Sequence, residues 1–156
     1  MWNRNRRQSS ASPGFTLIEV MLVVVLVGVL LAVAMPFFRG FKEKARIAQA
    51  VHDITAISAA ATNYSIDNRA YPASLADIGL AGKVDPWGNP YVYYNIDANG
   101  KSGARKDHAL NPLNTDFDVY SMGADGQSKL QITQSDSLDD VIRASNGSFV
   151  GLASDF

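Results

Sequence analysis

The chain has 156 residues, 47% of them hydrophobic, and a formal net charge of −1. That length suits one small globular domain; without Arg4, Arg6 and Arg7 the net charge falls by three to −4, which argues against nucleic-acid binding. With no cysteine, neither a disulfide nor a thiolate metal site can form, and His52 and His108 lack a spaced partner for zinc.

Met1 to Gly14 is polar and basic and has no apolar region of its own. Phe15 to Phe38 is apolar enough to cross a membrane, yet it carries one carboxylate, Glu19, near its start. An ionised side chain facing lipid is costly, so an intramembrane carboxylate is a functional suspect and needs a partner. Two other readings of this segment stand beside that one. Ala32-Val33-Ala34 matches the small-residue cleavage site of a secretory signal, although Glu19 inside the apolar region and the helical continuation both fit removal poorly. The segment also reads as an uncleaved signal anchor, whose orientation the charges do not fix, since Arg39, Lys42, Lys44 and Arg46 balance the leader arginines.

Beyond the apolar run, Ile47, Val51, Ile54, Ser58, Ala61 and Ser65 recur at steps of four and three, with Ala50, Ile57 and Tyr64 beside them. This period predicts one long helix whose second half, residues 39–69, is amphipathic and packs on something. Pro36 removes one backbone bond and predicts a kink or local melting, with Gly28 and Gly40 as weaker points. Asp67-Asn68 and Tyr71-Pro72 predict the helix end near Asn68.

Residues 70–156 form a soluble head. Ser74 to Ile78 reads as a short helical turn capped by Ser74, and Asp85-Pro86-Trp87-Gly88-Asn89-Pro90 as a dense turn cluster. Tyr91 to Ile96 predicts a strand, and Asp97 to Gly100 a turn. Lys101 to Asn114 is polar and reads as a long exposed loop. Asp116 to Ser121 alternates like a strand, with Phe117, Val119 and Ser121 on one side. Two or three antiparallel strands against the long helix make an α+β head.

Gly14-Phe15-Thr16-Leu17-Ile18-Glu19 followed by an unbroken apolar helix resembles the class III signal of type IV pilins and pseudopilins. The resemblance implies a leader of residues 1–14, cut by a prepilin peptidase between Gly14 and Phe15, and methylation of the new N-terminus. It also implies retention of 15–38 as a transmembrane and filament-core helix. Glu19 then gains a partner, the new α-amino group of its own chain or of a neighbour in the filament; the plain alternative is a carboxylate simply wet at the headgroup boundary. The place of Pro36 also matches many type IV pilins.

YPASL, DPWGNPYVYY and DVYSMGADG, in that order, resemble the major pseudopilin of type II secretion systems over parts of Gly14 to Gly126. That family implies a type IV pilin-like fold, with a long N-terminal helix packed on a small antiparallel β-sheet and a C-terminal loop region. It implies a homopolymer driving protein export, with minor pseudopilins, an inner-membrane assembly platform and, before assembly, membrane lipid as partners. It places a single-pass chain in the inner membrane, head in the periplasm, and afterwards a periplasmic pseudopilus. Trp87 and the prolines read as structural rather than as a sugar or peptide site.

Three features depart from the family: an insert at 101–114, Gln127 to Ser135 in place of a glycine-rich stretch, and a tail at 143–156 without the usual closing tryptophan. They leave a type IV pilin of a surface pilus, for adhesion, motility or DNA uptake, as the alternative. A membrane-anchored periplasmic binding or sensor protein is the alternative of another class.

Asp125, Asp136, Asp139 and Asp140, with Ser135 and Ser137, form an acidic stretch of the sort calcium favours, but without EF-hand spacing the chemistry alone favours a solvated acidic loop. The resemblance adds a calcium held by Asp125, the backbone of Met122, and Asp140 with Val141, the shell completed by Asp139 or Asp136. Nothing matches GxSxG, HExxH or a P-loop, so the residues predict no enzyme.

Overall fold

The computed structural model describes residues 14–156, the side chains at 36 and 39 excepted. The leader expectation for residues 1–13 lies outside the described residues. Two compact units emerge, Met1–Phe41 and Lys42–Phe156.

One helix, α1, runs Leu17–Asn68 and ends where the turn signals place its end. It continues through position 36 as helix, so the expected local melting at Pro36 does not occur. In the first unit every large apolar side chain described is exposed, from Phe15 at 88% to Phe41 at 81%. With a mean hydropathy of 3.0, this stretch of α1 is long and apolar enough to cross a membrane.

In the second unit the predicted stripe is buried. Ala50, Ile54, Ile57 and Ala61 are fully enclosed, while His52 and Thr55 on the opposite side face solvent. They pack on a four-stranded antiparallel sheet in the order β1 (Val92–Asn95), β2 (Phe117–Ser121), β3 (Val141–Ala144), β4 (Phe149–Leu152). Register is fixed by pairs such as Tyr93 with Val119, Ser121 with Val141, and Arg143 with Val150. The sheet exceeds the two or three strands expected because the tail is a hairpin. Its turn is Ser145–Gly147, where Ser145, Asn146 and Gly147 all take positive φ (51°, 54° and 90°). Asn146 is among the residues that tolerate this region, and its Oδ1 accepts from Thr115 N at 2.8 Å, which ties the turn to the segment before β2.

Both faces of the sheet are covered. On one, Phe117, Val119 and Val141 meet α1, together with Tyr71, Trp87 and Tyr91; the Phe117 ring lies 5.1 Å from Tyr71 and 5.5 Å from Tyr93. On the other, Ile142 and Ala144 join Leu113, Ile132 and Ala153 in a second core, with Tyr120 and Phe149 at its edge. Alternation along β2 and β3 sorts residues between these cores, as the two-residue period requires.

The expectation that Lys101–Asn114 is an exposed loop is wrong for Ala104–Arg105 and for Leu113–Asn114. Ala104, Arg105, Leu113 and Asn114 are buried, and the backbone of Lys106 pairs with that of 130–132 (Lys106 N to Leu130 O, 2.7 Å; Ile132 N to Lys106 O, 3.0 Å). Asp97–Gly100 also differs from the expected turn: Ile96–Asn99 is one helical turn, opened by Asn95 Oδ1 accepting from Ala98 N and closed by Gly100 at φ 79°.

Candidate functional site

The N-terminal site is built by the first turn of α1. Thr16 precedes the helix, and both its N–H and its Oγ1 donate to Glu19 Oε2 at 3.0 Å, while Glu19 N donates to Thr16 Oγ1 at 3.3 Å. This is a capping box, in which two otherwise orphaned helix donors are satisfied reciprocally. The carboxylate therefore has a local partner before any subunit meets it, and it lies where the helix dipole favours negative charge. Thr-x-x-Glu was the signal for it. Phe15, Ile18, Val20, Leu22 and Val23 surround Glu19 with exposed apolar surface.

The two head motifs carrying the family resemblance form one hydrogen-bonded unit. Asp85 is buried; its Oδ1 accepts from the backbone N–H of Trp87 (3.0 Å) and Asn89 (2.9 Å), and its Oδ2 accepts from Ser121 Oγ at 2.5 Å. Ser121 Oγ in turn accepts from Gly123 N, and Asn89 Nδ2 donates to Gly123 O at 3.0 Å. The turn cluster at 85–90 is thus tied to the end of β2 and to GADG. On the helix side, Trp87 Nε1 donates to Glu43 Oε1 at 3.0 Å, and Tyr91 Oη donates to Asp53 Oδ2 at 3.0 Å. Burial and the Asp53 carboxylate push the Tyr91 hydroxyl well above its ordinary range.

The acidic residues proposed for a metal are placed as follows. Met122 is half-buried, just beyond β2. Gly123, at φ 62°, is irreplaceable: a Cβ there would sit 2.4 Å from the Asp139 carbonyl oxygen. Asp139 Oδ2 accepts from Ala124 N (2.8 Å) and Asp125 N (3.2 Å), so it closes the GADG turn. Asp125 Oδ1 accepts from Gln127 N at 2.8 Å. Asp136 lies 3.6 Å from Lys129 Nζ. Asp140 is fully buried, and its Oδ2 accepts from Arg105 Nη2 at 2.6 Å and from Ser128 Oγ at 2.7 Å. Burial pushes the Asp140 carboxyl up, with Ser128 and Arg105 pulling the other way. Val141 lies in a strand paired on both sides. Among the described residues, no three acidic or histidine side chains gather as a metal shell. The carried-over set does not fit calcium, because its central carboxylate already faces a guanidinium.

The comparisons with known proteins agree with both motifs. Residues 10–35 match the family model described as the prokaryotic N-terminal methylation motif. The chain is 37% identical over 143 aligned positions to the type II secretion system core protein G of Pseudomonas aeruginosa, spanning 78% of this chain and 88% of that one. It is 35% identical to the protein of the same name from Vibrio cholerae (73% and 82% covered), and 33% identical to that of Escherichia coli (78% and 88%). No solved structure matches it significantly. The exposed apolar helix with its capped glutamate, the interlocked DPWGNP and SMGADG turns, and these identities over most of the chain lead to one conclusion: the chain belongs to the type II secretion core protein G family, the G-type pseudopilins.

Proposed function

We propose that this chain is a structural subunit that polymerises through α1 into a pseudopilus serving protein export by a type II secretion system. The observation that carries this is the fully exposed apolar half of α1 with a single carboxylate in its first turn, on a head of the G family. Such a surface has two homes, lipid and the core of a helical bundle, and a subunit that moves from one to the other uses both. The chain is a single-pass protein of the inner membrane, and we place its head in the periplasm. A prepilin peptidase cuts after Gly14; minor pseudopilins and an inner-membrane platform are the partners in assembly. The role is structural rather than enzymatic.

Glu19 has two roles to be separated, capping its own helix and pairing with a neighbour's α-amino group. Glu19→Gln keeps a capping-box side chain but loses the charge, and Glu19→Val loses both. We expect both variants to insert in the membrane and both to stop subunit crosslinking and secretion. Normal assembly of Glu19→Gln would leave capping as the whole role of this residue and remove the charge pair from the mechanism.

A further inference from the structure

We propose that in this head the Arg105 guanidinium takes the place of a divalent cation at Asp140, so that the C-terminal loop is held without metal. Arg105 comes from the insert and is only 2% exposed, and the Asp140 side chain is fully enclosed. Two groups close on one carboxylate oxygen and on each other: Arg105 Nη2 reaches Asp140 Oδ2 at 2.6 Å, Ser128 Oγ reaches the same oxygen at 2.7 Å, and Arg105 Nη1 bonds Ser128 Oγ. The guanidinium carbon lies over the Tyr120 ring, 4.3 Å from its centroid. Its backbone N–H donates to the buried Asp118 Oδ2 at 2.6 Å, and its carbonyl accepts from Leu113 N at 2.9 Å.

A cation at Asp140 would have to share that carboxylate with a fixed positive charge that cannot deprotonate. Repulsion at such distances in a buried site is strong. One oxygen of each of two other candidate carboxylates is engaged by the backbone: Asp139 Oδ2 accepts from two N–H groups, and Asp125 Oδ1 from a third. The atoms of the ion pair left without partners are Asp140 Oδ1 and Arg105 Nε, one acceptor and one donor, which a fork-like closure of the same pair would satisfy. Two departures from the family also turn out to be one feature. The insert brings Arg105, and the stretch replacing the glycine-rich loop brings Ser128 and pairs its 130–132 backbone with Lys106. The brace does not depend on filament assembly, so it is separable from the proposed function.

The test is thermal melting of the full chain in detergent, followed by circular dichroism, with chelator or with millimolar calcium, the concentration range of weak extracellular calcium sites. The same midpoint in both conditions is expected, together with no calcium binding by calorimetry. A bound metal at a hundredfold excess over Kd would raise the midpoint by on the order of 10 °C, and that result overturns the proposal. Arg105→Gln is expected to lower the midpoint in both conditions, far more than Arg46→Gln, whose half-exposed guanidinium lies 3.7 Å from Glu43. An unchanged midpoint for Arg105→Gln would equally overturn it.

Discussion

The two cores on either side of the sheet are built in opposite ways. The helix-side core takes seven of its eight buried residues from regular elements, Ala50, Ile54, Ile57 and Ala61 from α1 and Phe117, Val119 and Val141 from β2 and β3, with Tyr91 just before β1 as the eighth. The far-side core takes Leu113 and Ile132 from irregular segments and Ile142, Ala144 and Ala153 from the C-terminal hairpin and its end. Regular elements satisfy their own backbone, so their core can be purely apolar. Irregular segments cannot, and they bring buried polar groups with them: Asn114 donates to Asp118 Oδ1 (2.8 Å) and to the Arg143 carbonyl (2.9 Å), and Asn146 N donates to Asn114 Oδ1 (2.8 Å).

The largest expected effect falls where the two cores join. Arg143 donates from Nη1 and Nη2 to the two oxygens of Asp116 at 2.8 and 2.7 Å, donates to the Phe117 carbonyl, and lies 4.1 Å over the Phe117 ring. Arg143→Ala leaves Asp116 unpaired and should cost about 3–5 kcal/mol, read as a denaturant midpoint shift at constant m. Retained stability would show the cores to be independent.

Ile57→Ala and Leu113→Ala should each cost about 2–5 kcal/mol if the cores are equally packed. Hydrogen exchange separates them. Ile57→Ala should speed exchange throughout the head, whereas Leu113→Ala should speed it chiefly in 101–114 and 127–156. Equal, uniform loss from both would dissolve the distinction between the cores.

Acid should act through two carboxylates whose shifts run in opposite directions. Burial pushes Asp116 up, but its bonds from Arg143 and Phe117 N outweigh that and hold it below its ordinary 3.8. Its stabilisation is full above that value and is lost as pH falls through the lowered one. Asp118 is pushed up by burial, against its bonds from Asn114 and Arg105, so it costs stability when ionised and returns it as pH falls through its raised value toward 3.8. Urea midpoints against pH should lose their drop below about pH 4 in Asp116→Asn and lose the opposing rise in Asp118→Asn.

The smallest effect is Trp87→Phe, which keeps the ring against the helix-side core but drops the bond to Glu43, at about 1 kcal/mol. A neutral result would make Trp87 a packing residue alone.

The helix-side core was legible because it follows periods. The steps of four and three over Ile47–Ser65 and the alternation at Phe117–Ser121 are local patterns, and local packing obeyed them. Thr16-x-x-Glu19 was equally local, and its capping box was open to the same reading. The hairpin had its signal too, Asn146-Gly147 between apolar pairs, masked by being read as a tail. Arg105 had none. Its burial depends on a carboxylate 35 residues away, and nothing in a polar insert distinguishes a buried arginine from a solvated one. The calcium set was carried over from matching residues; among the described residues no three of its carboxylates gather, and Asp140 faces Arg105, a partner that the pattern does not contain.

The measurement that bears most directly on the assignment to a pseudopilus is the mass and N-terminal residue of the protein recovered from cells that carry a prepilin peptidase. A mature chain beginning at Phe15, with a methyl group on its α-amino nitrogen and α1 intact, is expected, and Gly14→Glu should block its formation. A chain that still begins at Met1, or one that begins at Met35 with the apolar helix removed, would contradict it.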